Sequence, residues 1–100
     1  MTFGDAIDLI KENRKAARAG WNGKNMHIYL NRGTSPTLNP KAETVTNLID
    51  GVNEELFDLY EIDTVRRLPN INFQTASGAI LTGWLASQTD ILAEDWTEVA

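Results

Sequence analysis

The chain of 100 residues has no cysteine. That absence excludes a disulfide framework and any thiolate zinc site, so the fold must rest on packing alone. His27 is the single histidine. Without a second imidazole or a thiolate it is a poor metal ligand, and an ordinary place on a strand face is expected for it. No apolar run approaches the roughly 20 residues that a membrane span needs, and the N-terminus has no apolar signal segment. A soluble cytoplasmic protein without membrane contact is the expectation. Basic residues are also scarce: nine Lys and Arg stand against fourteen Asp and Glu, for a net charge of −5. Affinity for a phosphate backbone rests on clustered Lys and Arg, so neither DNA nor RNA is an expected partner.

The machinery of catalysis is missing as well. The seven glycines are scattered and form no G-x-x-x-x-G-K loop. No serine sits in a nucleophile elbow, and only His27 is present to act as a base beside one. Asp90, Glu94 and Asp95 are oxygen donors of the kind hard cations prefer. Asp90 is better placed as a helix cap, however, and on a helix Glu94 and Asp95 point to different sides. No catalytic residue, metal or cofactor is therefore expected.

What is present is enough apolar sequence for one modest core, hence a single domain over residues 1–100, too small for two lobes around a deep cleft. Binding sites in such chains are often built between subunits. Charge is unevenly spread: residues 1–33 carry six basic and three acidic side chains, and residues 34–100 carry three basic and eleven acidic. Lys11, Arg14, Lys15, Arg18 and Lys24 form a local positive region. It suits a small anionic ligand, or simply the solvated end of a helix complementing its dipole.

Thr2 and Asp5 have capping-box spacing, and Phe3, Ala6, Ile7 and Ile10 lie on one helical face, which predicts a helix from 3 to about 13. Ala16 to Trp21 reads as a strand that turns at Asn22-Gly23, the preferred pair for a two-residue hairpin, and returns over Lys24 to Asn31. Met26, Ile28 and Leu30 share one face of the returning strand; His27, Tyr29 and Asn31 share the other. Arg32 to Pro40 reads as a loop. Val45, Leu48, Ile49, Val52, Leu56 and Leu59 then keep helical spacing around the interruption at Asp50-Gly51, so that residues 34–63 form an excursion from the sheet. Thr64 to Thr75 is expected to be extended, turning at Ala76-Ser77-Gly78 into a strand from Ala79 to Leu85.

The densest local signals lie in the C-terminal stretch. Ser87 and Asp90 again have capping-box spacing, with Ala86 and Ile91 placed to form a small hydrophobic staple. A helix of about two turns to near Asp95 should follow, then a closing strand from Trp96. The elements add up to an α+β domain: an antiparallel sheet of four to five strands, with the N-terminal helix packed on it and short additional helices.

Three tryptophans invite two readings. Trp96 is expected in the core. Trp84 is either a core ring or a platform on which a flat ligand stacks while its phosphates reach the amides of the following helix. Trp21 is either hairpin packing or, with the donors of Asn22, Lys24 and Asn25, a corner that recognises a nucleotide.

Four stretches carry a further signal: residues 67–78 (RLPNINFQTASG), 83–96 (GWLASQTDILAEDW), 2–6 (TFGDA) and 19–25 (AGWNGKN). Together they resemble the second family of Thoeris anti-defence proteins, small proteins of phages and prophages. The resemblance runs along most of the chain but not through residues 34–63, a variable insertion. It implies a sponge in the cytoplasm of a bacterial host: a non-catalytic homo-oligomer, dimer or tetramer, that binds a nucleotide second messenger between protomers and withholds it from its effector. The ligand it implies is a cyclised ADP-ribose isomer made by a TIR-domain enzyme, with cyclic dinucleotides as a further class. By motif position it places Trp21, Asn22, Lys24, Trp84, Ser87 and Asp90 in the pocket. The competing expectation is a phage protein-interaction module without a nucleotide ligand.

Overall fold

The computed structural model describes residues 1–21, 25–33 and 67–100. By its contacts the chain divides into two compact units, one made of Met1–Asn31 with Asn70–Ala100 and the other of Arg32–Pro69. In the second unit Gly33 has a φ of 60°, and a Cβ there would collide with the carbonyl of Arg67, so glycine is required twice over. The Asn22-Gly23 turn, most of the loop from Arg32 to Pro40 and the helical face from Val45 to Leu59 lie outside the described residues.

The first unit begins with helix α1 (Phe3–Lys11). The Thr2 hydroxyl accepts the Asp5 amide at 3.2 Å while the Asp5 carboxylate accepts the Thr2 amide at 3.1 Å, closing the expected box. The backbone bond from Thr2, with its hydroxyl bond, lowers the Asp5 carboxyl below its ordinary value. Ala6 and Ile10 on the inner face are fully buried. Asn13, at a φ of 68°, turns the chain left-handed into β1 (Lys15–Arg18).

Strand β1 lies between β2 and β5 in a five-stranded antiparallel sheet with β2 (His27–Asn31), β3 (Asn70–Gln74), β4 (Ile80–Leu81) and β5 (Trp96–Val99), in the order β4-β3-β2-β1-β5. A short helix, α2 (Gln88–Leu92), precedes the last strand. The fold is thus α+β, with α1 against one face of the sheet. Ala6, Ile10, Ala16, Ile28, Phe73 and Trp96 form the core on that side. Strand alternation sends the neighbouring Ala17 and His27 to the opposite face, where both are also buried. This matches the sidedness read from the sequence of β2. At the far edge the Met1 amine donates to the carbonyls of Trp96 (2.8 Å) and Glu94 (3.2 Å), and the Met1 carbonyl accepts the Trp96 amide, which tethers the start of α1 to β5.

Four boundaries differ from the sequence reading. The strand expected to run to Trp21 stops at Arg18, because the Ala19 amide turns to the carbonyl of Asp95 and residues Ala19–Trp21 coil into a 3-10 turn. Its partner starts at His27 rather than Lys24. The strand expected over Ala79 to Leu85 is only Ile80–Leu81: Gly83, at a φ of 71°, bends the chain, and the Trp84 amide donates to the carbonyl of Ile71 at 2.8 Å. Helix α2 ends at Leu92 instead of near Asp95. The carbonyl of Asp90, which would accept the Glu94 amide in a longer helix, is bonded by the Trp96 indole at 2.9 Å. Ile91, expected to staple onto Ala86, is half exposed.

Candidate functional site

The 3-10 turn after β1 and the bend after β4 bring two tryptophans together. The rings of Trp21 and Trp84 lie 6.2 Å apart at 86° to one another. Trp21 also stands edge-on to Phe73 at 5.2 Å and to Trp96 at 5.3 Å. Trp84 stacks on Phe73 at 5.9 Å and 14°, and meets Trp96 edge-on at 6.5 Å. Offset stacking and edge-to-face contacts suit the quadrupoles of these rings, so the cluster holds each indole in a defined orientation. Trp96 is sealed in the core, whereas Trp21 and Trp84 are half-buried and keep part of their surface open.

A polar network adjoins the rings through Trp96, whose indole N–H reaches the carbonyl of Asp90. Ser87 caps α2 by accepting the Asp90 amide at 3.1 Å, and the Asp90 Oδ2 accepts both the Ser87 amide and the Ser87 hydroxyl. The other oxygen of Asp90, Oδ1, accepts Arg18 Nη1 at 3.0 Å, while Arg18 Nε donates to Asp95 Oδ1 at 3.0 Å. Burial alone would raise the Asp90 carboxyl, but the bonds from the Ser87 side chain, from Arg18 and from the Ser87 amide outweigh it and hold the group below its ordinary value. The guanidinium is held more firmly charged by Asp95 first and then by Asp90.

The candidate residues are therefore distributed as follows. Trp21 and Trp84 come together; Ser87 and Asp90 come together and bond mainly to each other and to Arg18. Asn22 and Lys24 lie outside the described residues. Two amides at the start of α2 are satisfied inside the box, beside a carboxylate that would repel an anion. The local positive region is likewise partly neutralised, since Arg14 pairs with Glu98 at 2.9 Å and with Glu12 at 3.4 Å. Sequence reasoning treated Arg18 only as part of that region and placed Phe73 only within the extended stretch from Thr64 to Thr75. A signal for Arg18 existed: it stands two residues after Ala16, on the inward face of a strand, where an unpaired cation is not tolerated. Its partners remained hidden because the pairing of β1 with β5 is a long-range one.

The sequence of residues 1–99 matches the model of a family described as the Thoeris anti-defense 2-like domain. The chain belongs to that family. A relative, "Thoeris anti-defense 2" of Bacillus phage SP01, is 33% identical over 100 residues, covering 100% of this chain and 96% of its own. Membership of the Thoeris anti-defense 2-like family supports a phage anti-defence role. Because the match takes in nearly the whole chain, the aromatic cluster and the capped segment beside it both lie inside the family domain.

Proposed function

We propose that this protein acts without catalysis, by binding and sequestering a signalling nucleotide of the cyclic ADP-ribose type, and that cyclic dinucleotides are a second ligand class. The observation that carries the reading is the pair of half-buried indoles, Trp21 and Trp84, fixed at right angles by the rings behind them. A purine has two faces and an edge, and such a pair offers a stacking surface and an edge contact together. Asn22 and Lys24, next in sequence to Trp21, supply amide and ammonium donors for ribose and phosphate oxygens. Ser87 and Asp90 contribute by fixing the segment that carries Trp84. The pocket is completed by a second copy of the chain, in a dimer or tetramer. Ile80, Leu81, Ile91 and above all Leu92 and Leu85, 77% and 90% exposed, provide apolar surface for that contact. The setting is the cytoplasm of an infected bacterium, in keeping with the family.

Sequestration is tested by incubating the protein with a cyclic ADP-ribose isomer, removing free ligand, denaturing the complex and analysing what is released. Unaltered nucleotide in a fixed ratio to protein is the expected result. A chemically changed nucleotide would overturn the reading in favour of an enzyme. The exposed apolar residues also favour a second reading, a module that binds another protein. It prevails if no nucleotide raises the melting temperature and a host or phage protein co-purifies.

A further inference from the structure

We infer that Arg18 is a positioning residue: it latches the segment from Trp84 to Asp95 onto the sheet, so that the placement of α2, which itself buries no residue, is set mainly by charge from β1. The consequence for ligand binding rests on the function proposed above; the latch itself does not.

Helix α2 has five residues and buries none of them. A helix that short has no stability of its own, and Leu85, Ile91 and Leu92 face outward rather than into the core. The segment is anchored at one end where Trp84 bonds Ile71 and stacks on Phe73, and at the other where Trp96 enters the sheet. Between these anchors, among the described residues, Ala93 packs against the core and the other attachments to the sheet are polar. They are the Trp96 indole on the Asp90 carbonyl, the Ala19 amide on the Asp95 carbonyl, and Arg18 on two carboxylates at once.

Arg18 and Asp90 are also the least exposed charged groups of the network, with side chains 22% and 16% exposed. Water therefore competes for this pair less than for a surface pair. The geometry calls for arginine specifically. Nε and Nη1 are fixed in one plane and each meets a different carboxylate, whereas an ammonium is a point charge without that fork. Asp90 divides its oxygens, one to the cap and one to Arg18, so the latch also orients the capping box.

Amide hydrogen exchange on the free protein tests the latch without any ligand. In Arg18→Gln, the amides of Asp90 and Ile91, bonded to Ser87, should exchange faster by on the order of tenfold. The amides of Ile28 and Phe73 in the sheet should stay within about twofold of wild type. Arg18→Lys should fall between the two. Unchanged exchange at Asp90 and Ile91 would overturn the inference, and so would equal acceleration in Ile28 and Phe73, which would mean that Arg18 only stabilises the whole fold. If Arg18→Gln does not fold, Asp95→Asn keeps the capping box and should give the same local pattern at smaller size; no local change there also overturns the latch. In a second arm, binding of cyclic ADP-ribose isomers should weaken in Arg18→Gln and partly recover in Arg18→Lys. If wild type binds none of them, the function proposed above fails, while the exchange result still decides the latch.

Discussion

Trp96 and Trp84 belong to one aromatic cluster but stand in different surroundings. Trp96 is fully buried, touches Phe3 at 5.4 Å as well as Trp21, and its N–H satisfies a helix carbonyl. Replacing it by alanine removes a large ring from the core and leaves that carbonyl without its donor. Trp96→Ala should therefore cost about 3–5 kcal/mol in urea denaturation. Trp84 is half-buried and leans on Phe73, so Trp84→Ala should cost less, about 1–2 kcal/mol, while weakening nucleotide binding in calorimetry. Equal stability losses with unchanged affinity would make Trp84 a core ring. Asp90 allows a second test at this scale. Its folded carboxyl lies below the ordinary value, so the stability it contributes is complete above the unfolded value of about 3.9 and is lost as pH falls through the lower folded value. The urea midpoints of wild type and Asp90→Asn should differ near neutral pH and converge as the pH falls below the ordinary carboxyl value. A gap that stays constant with pH would mean that ionisation of Asp90 is not its source.

The two capping boxes are the elements most legible in the sequence, because each is written in residues three apart and needs no distant partner. Element ends were less legible. The end of α2 is decided by the Trp96 indole, and the end of β1 by the carbonyl of Asp95, both contributed across the fold. Gly83 was visible, but nothing local said that it would take a positive φ and cut β4 to two residues. The same contrast gives a prediction. Thr2→Ala should lower global stability by about 1 kcal/mol, since the helix it caps holds Ala6 and Ile10 in the core. Ser87→Ala removes an equivalent cap from a helix that buries nothing, so its global effect should be only a few tenths of a kcal/mol, roughly. Its loss should appear instead as faster exchange at Asp90 and Ile91. Equal global losses from the two substitutions would show that α2 is part of the cooperative core.

Across the whole molecule, the α+β class followed from element counting, but the strand order did not. The last strand returns past the others to pair with β1, and that crossing creates the contact between Arg18 and the two aspartates. The aromatic half of the candidate site was legible because indoles beside turns are rare and conspicuous, whereas its charged support depended on this topology. A ligand that binds only the folded chain stabilises it by mass action, about 2.7 kcal/mol at a hundredfold excess over Kd. For a domain of this size that corresponds to a rise in Tm on the order of 10 °C with the correct cyclic ADP-ribose isomer. If a second copy completes the pocket, the apolar surface of Leu85, Ile91 and Leu92 must be covered before the site exists. The shift at fixed free ligand should then grow with protein concentration and fade on dilution, in parallel with the loss of oligomer in analytical ultracentrifugation. A shift that is independent of protein concentration down to the monomer would place the whole site within one chain.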